Sequence, residues 1–289
     1  MDIFRTLIVE PVFNLLISIY SVVGDFGVAL IIFTIIIRLL LWPLVTRQLH
    51  QVKAMRKLQP ELAKIKKASK GNRQLESMQM LELYKKHGVK PFRSILMLLI
   101  QLPIFIALFQ VIMIFTNSRD QIADYAYGFV ENIPAVASLL QNPELFNQKL
   151  LGLIDLSASA FSGSDIMNSI LLIVLAGLAA FTQYVVSKQT TPQTSGKRLR
   201  DVFSAAAEGK DVDQSEVNAV MMTKMVKFLP IMMFVIMLNL PGALAFYYAI
   251  SNLLTAGQQF YLLRRDADTM DTIADESIKK QAKAKTKTP

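Results

Sequence analysis

Residues 26–45, 94–116, 166–187 and 221–263 contain no carboxylate, and only Arg38, Lys224 and Lys227 among them carry any charge. Each stretch clears or approaches the roughly 20 apolar residues that a helix needs to cross a bilayer. Asn239-Leu240-Pro241-Gly242 divides the last block in two, so five spans are expected: 26–45, 94–116, 166–187, 221–240 and 241–263. With 53% hydrophobic residues, 18% charged residues and a mean hydropathy of +0.39, a soluble domain around one core is a poor description. The expectation is an all-α membrane protein.

Residues 1–25 are amphipathic, are interrupted by Glu10-Pro11 and lack the pattern of a secretory signal. They read as an N-terminal interfacial helix feeding the first span. Basic residues set the orientation. Residues 46–93 hold 13 Lys and Arg against three acids, while residues 117–165 hold two against six. The first loop is therefore expected in the cytoplasm and the second outside, with the N-terminus out and the C-terminus in. Residues 188–220 read as a polar, mobile cytoplasmic loop, and residues 264–289 as a basic disordered tail. Short helices lying along the outer surface are expected in 117–165, which carries Pro134, Pro143 and Gly152. Nucleic acid is a partner that a net charge of +9 could suggest. The basic residues flank the spans, however, where anionic lipids account for them, so no DNA partner is expected.

The first loop has its own periodicity. Leu49, Val52, Met55, Leu58, Leu62 and Ile65 recur at the spacing of one helix face, Lys70-Gly71-Asn72 interrupts, and Leu75, Met78, Leu81 and Tyr84 continue up to Gly88 and Pro91. This reads as a cytoplasmic helical hairpin with an apolar seam and a basic exterior. A hairpin that only orients the protein is the plain alternative.

Arg38 has no acid within ten residues on either side. On a straight helix ending at Val45 it would sit roughly 10 Å inside the membrane. A charge at span centre costs about 2.5 to 3.5 kcal/mol and normally faces a partner or a water-filled cavity. No span offers a carboxylate, so water, neutral acceptors, a lipid phosphate or an acid brought by another molecule remain. Thr34, Arg38 and Trp42 lie at spacings of four on one face; Tyr248, Asn252, Thr255 and Gln259 form another polar face; Gln101, Thr182 and Gln183 could join them. Together these could line a wet, positive groove open to the cytoplasm. Polar side chains joining helices is the alternative for each one taken alone.

Four segments carry a family resemblance: "VGDFGVALIIFTIIIRLLLWPLVTRQ", "AMRKLQPEL", "LLIQLPIFIALF" and "LPGALAFYYAISNLLTAGQQ". In order and spacing, residues 4–116 and 166–263 resemble the YidC-type membrane protein insertases of the YidC/Oxa superfamily, in their short five-span form. The resemblance implies a groove closed to the outside and open to cytoplasm and lipid, serving nascent membrane proteins, alone or with the Sec translocon. Arg38 matches the groove arginine, Thr34 the threonine one turn before it, Tyr248 the second aromatic of a pair, Phe105 an aromatic of the second span and Gln183 a groove glutamine. It also implies contacts of the hairpin with the ribosome, the signal-recognition-particle pathway or another partner, for which Lys53, Arg56, Lys57, Lys64, Lys66, Lys67 and Arg73 are the candidates. The chain departs from the family in "KPFRS" after the hairpin, in the displaced glycine of Leu240-Pro241-Gly242-Ala243, and in lacking a lipoprotein Cys. A bacterial plasma membrane is the expected location.

Such a role makes and breaks no bond, so no enzyme activity, cofactor or metal is expected. His50 and His87 read as solvated side chains of the basic hairpin. A transporter would call for membrane-embedded carboxylates or interrupted helices. A docking module for other complexes is the remaining rival.

Overall fold

The computed structural model describes residues 3–69, 72–87, 93–162, 165–190 and 214–285. A π-helical turn, Arg5–Val9, runs into α1 (Glu10–Val23), followed by α2 (Phe26–Leu40), α3 (Trp42–Ala68), α4 (Arg73–Lys86) and α5 (Arg93–Asn117). Short helices α6 (Ile122–Tyr125), α7 (Gly128–Glu131) and α8 (Pro134–Gln141) follow. An antiparallel ribbon of β1 (Lys149–Leu150) and β2 (Ile154–Asp155) then leads to α9 (Ile166–Thr190), α10 (Gln214–Asn239) and α11 (Gly242–Lys285). The fold is all-α apart from that ribbon.

Among the described residues, Arg5–Val23 and Ile166–Thr190 are long and apolar enough to cross a membrane, and the bent pair Phe26–Leu40 and Trp42–Ile65 could form a third, broken crossing. Leu102–Thr116 and Val226–Asn239 are apolar but shorter. The protein is membrane-integral. The N-terminal segment, expected at the interface, thus has the length and hydropathy of a crossing.

The first expected span is not one straight helix. It bends by 55° between Leu40 and Trp42. The cause is local: Pro43 lacks an N–H and its ring clashes with the carbonyl four residues back, so α2 ends and α3 starts with proline in its first turn. Arg38 therefore lies in the last turn of α2, not deep in a helix that reaches Val45. Its charge there complements the negative end of the helix dipole. Another difference is the tail. Helix α11 continues to Lys285, so the segment expected to be disordered beyond Leu263 is helical. Its run of Ala, Lys, Asp and Glu without Gly or Pro favours that continuation. Residues 191–213 of the loop expected to be mobile lie outside the described residues, as do Lys70-Gly71, Gly88 and Pro91.

Packing is concentrated where α1, the start of α2, the end of α5, the 122–156 segment and the start of α11 converge. Phe13, Phe115 and Phe146 form a stack, with centroids 5.0 and 4.7 Å apart and planes within 9°. Phe26 meets Phe146 edge-on, and Tyr20 leans on it while its hydroxyl accepts from the Asn147 N–H at 2.7 Å. Asn14 ties α1 to the loop by donating to the Tyr125 carbonyl and accepting from the Tyr127 N–H. Asp25 caps α2 through the Val28 N–H at 2.9 Å and also accepts from the Leu151 N–H. The first N–H groups of α11 have no intrahelical partner, and the carbonyls of Ala158 and Leu156 satisfy those of Gly242 and Ala243. A Cβ at Gly242 would meet the tip of the Leu172 side chain, which would have to turn aside.

Candidate functional site

Arg38 leaves the last turn of α2 towards α11, where both Nε and Nη2 donate to the Ser251 hydroxyl, the former at 3.1 Å. Among the described residues no carboxylate pairs with this guanidinium, and Nη1 makes no protein hydrogen bond. A neutral acceptor thus holds part of the cation, one of the alternatives that the sequence leaves open. Beside it lies a cavity of about 330 Å³ between α2 and α11, whose lining includes Arg38, Trp42, Leu253, Gly257, Gln258 and Tyr261. Its walls are mainly apolar, with polar groups from Arg38, Gln258, Trp42 and Tyr261. Gln258 is 6% exposed and its side-chain N–H donors find no partner. A buried amide left unsatisfied costs about 1–3 kcal/mol, a cost that an entering acceptor would remove.

The other expected groove residues divide among several roles. Thr34 is buried and its hydroxyl returns to the Leu30 carbonyl at 2.6 Å, so it does not line the cavity. Thr255 similarly donates to the Ser251 carbonyl at 2.7 Å. Asn252 donates to Gln183 across α9 and α11 at 3.1 Å, and Gln183 donates to Ser187. This pair is interhelical bonding, the plain alternative stated above. Phe105 and Tyr248 meet edge-to-face, with centroids 5.9 Å apart. Thr182 bonds back to its own helix, and the side chain of Gln101 lies outside the described residues.

Sequence reasoning missed Ser251, Gly257, Gln258 and Tyr261. The signal was available. Ser251 and Gln258 are seven residues apart, two helical turns, on a stripe one position back from Asn252 and Gln259. At 100° per residue that single step turns the polar face from α9 towards α2.

The basic helices also differ from expectation. Helices α3 and α4 touch through Leu58 and Leu83, with Leu62, Ile65 and Tyr84 packed around them. Leu75, Met78 and Leu81, expected in the seam, are exposed. Repeated steps of three fall 60° short of a turn each time, so nine residues carry Tyr84 to the side opposite Leu75. The inner face instead runs through Glu76, Met80 and Leu83. Burial there raises the Tyr84 phenol above its ordinary pKa of 10.0. Arg56 donates to the Gln189 carbonyl, tying α3 to the end of α9. Lys57 and Lys64 are exposed and Lys53 is half-buried, while the side chains of Lys66, Lys67 and Arg73 lie outside the described residues.

Comparison with known proteins adds an independent line. The family model described as "60Kd inner membrane protein" matches residues 18–269. A protein of Pelobacter propionicus named "Membrane protein insertase YidC" is 28% identical over 257 residues, covering 89% of this chain and 38% of its own length. Its namesake from Oleidesulfovibrio alaskensis is 27% identical over 260 residues, covering 90% and 39% respectively. The chain thus spans about two fifths of the length of these relatives. A solved structure titled "Active YidC insertase crystal structure with the first transmembrane domain resolved" aligns with a TM-score of 0.47 at 23% identity, covering 90% of this chain and 47% of that one.

Proposed function

The chain belongs to the 60Kd inner membrane protein family, and from that premise we propose that it inserts nascent membrane proteins into the lipid bilayer. The observation that carries the proposal is a cation that meets no carboxylate among the described residues and is held by one hydroxyl beside a cavity. In this reading the cavity admits water and forms a groove open to the cytoplasm. Arg38 attracts an acidic, hydrophilic segment of the client, and Gln258 offers a further donor to a carbonyl or carboxylate. Both interactions lower the cost of bringing polar groups partway across. The client's apolar segment then slides along α9 and α11 into lipid, driven by partitioning and assisted by the membrane potential at about 2.3 kcal/mol per charge per 100 mV.

In this reading the five expected spans, 26–45, 94–116, 166–187, 221–240 and 241–263, cross a bacterial plasma membrane while residues 1–25 lie at its surface, so that the N-terminus is outside and the C-terminus in the cytoplasm. Helices α3 and α4 face the cytoplasm, where Lys57 and Lys64 are placed to meet the ribosome, the signal-recognition-particle pathway or the Sec translocon. The names of the relatives support the reading, since each is called an insertase.

Charge reversal tests it. Arg38→Glu is expected to abolish insertion of single-span clients with acidic tails while cellular abundance stays at the wild-type level. Unchanged insertion together with lost assembly of a larger complex would favour docking and sink the proposal. Crosslinkers at Trp42 and Tyr261 should capture a stalled nascent chain, whereas one at buried Thr34 should not.

A further inference from the structure

A second groove, of about 340 Å³, opens between α9 and α10, away from Arg38, and is lined by Ala180, Phe181 and Tyr184 with Lys227, Ile231 and Phe234. Phe181 and Ile231 are strongly exposed although they stand in apolar stretches free of acids, so this surface meets hydrocarbon. One end of the groove is different. Tyr184 and Lys227 bound it there, Lys188 stands one turn after Tyr184 on α9, and Lys224 stands one turn before Lys227 on α10. All three lysines are exposed, and among the described residues none of them meets a carboxylate. Helix α9 contains no acid at all, and Glu216, the one acid of α10, lies two turns before Lys224.

We infer that this groove binds one anionic phospholipid, its headgroup phosphate held by Lys227, Lys224, Lys188 and the Tyr184 hydroxyl and an acyl chain laid between Phe181 and Phe234. An apolar trough with Lys227 at its end, and with exposed Lys188 and Lys224 one helical turn beyond it on the two helices, complements a molecule with a hydrocarbon tail and a negative head. A zwitterionic lipid fits less well, because among the described residues no carboxylate stands at this end of the groove to meet its cationic group. A peptide is a poorer occupant too, since the trough offers almost no partners for backbone amides. Helix length points the same way. The apolar part of α10, Val226–Asn239, covers about 21 Å at 1.5 Å per residue, short of the roughly 30 Å hydrocarbon core. A headgroup held at Lys227 sits below the mean level of its leaflet and lets the bilayer meet this short helix. The inference requires membrane integration only and does not depend on the insertase reading.

Native mass spectrometry of the full chain in mild detergent, supplied with phosphatidylglycerol or phosphatidylcholine of identical acyl chains, tests it. The wild type is expected to retain phosphatidylglycerol in preference. Lys227→Gln, alone and with Lys224→Gln, should cut that retention about fivefold per lysine removed. Ala180→Trp, which fills the trough and leaves every lysine in place, should also reduce it, whereas Lys85→Gln on α4 should change nothing. Equal retention of the two lipids by the wild type overturns the inference. So does retention that ignores either the lysine substitutions or Ala180→Trp in variants whose thermal unfolding matches the wild type.

Discussion

The two ends of this molecule are built differently. Where α1, the 122–156 segment and the start of α11 meet, aromatic rings stack on one another, and Asn14, Tyr20 and Asp25 each bind a loop backbone group. At the opposite end, beyond Arg38, the buried apolar clusters among the described residues are Val45 with Leu49 and Leu262, and Leu58 with Leu83. There the helices leave a cavity, and Gln258 is buried with no partner for its donors among the described residues. The difference teaches where each task can be placed. A densely packed end resists passage and fixes the helices, and a thinly packed end can admit a polar segment at low cost.

The contrast breaks most readily at the stack. Phe115→Ala should lose about 3–5 kcal/mol, because removing the middle ring leaves a cavity between Phe13 and Phe146. Leu58→Ala, in the small cluster, should lose about 2 kcal/mol, and equal losses in detergent unfolding would refute the contrast. A smaller effect is expected at the cavity. Ser251→Ala removes the acceptor of Arg38 while keeping the charge, so it should cost about 1–2 kcal/mol of stability yet leave insertion of acidic clients largely intact. A loss of insertion as complete as that of Arg38→Glu would mean that guanidinium placement, not charge, governs the step.

The smallest expected effect is a pH dependence in the α3–α4 pair. The Tyr84 pKa is raised above 10.0 by burial, so folding favours its protonated form. That share of stability is fully present below about pH 10 and is lost as the pH climbs through the raised value. Hydrogen exchange of α4 amides should therefore quicken above pH 10 in the wild type. In Tyr84→Phe the extra quickening should vanish, and its persistence would remove Tyr84 as the cause.

Much of the architecture was legible because hydrophobic length and charge bias act locally along a chain. The apolar blocks at 166–187 and 221–263 became α9, α10 and the first part of α11 for that reason. Errors arose where one residue redirects many. Pro43 broke the first expected span and moved Arg38 to a helix end, a signal visible in "LWPL" but outvoted by hydropathy. In α4 three of the four expected seam residues face outward and only Tyr84 packs on the partner helix, since spacings of three drift around a helix. Beside the cavity, Arg38 and Trp42 are residues that the sequence singles out, whereas Ser251 and Gln258 lie on the stripe next to the polar face it suggests.

The sequence by itself determined that this chain enters a membrane, that most of it is helical, and that no acid stands within ten residues of Arg38 or inside the expected spans. Those outcomes follow from transfer energies and residue inventory, which need no knowledge of what lies across the bundle. Only the tertiary structure decided which polar groups satisfy one another and which are left facing a cavity. A rotation of 100° about a helix axis exchanges those roles, and packing against distant segments sets that rotation.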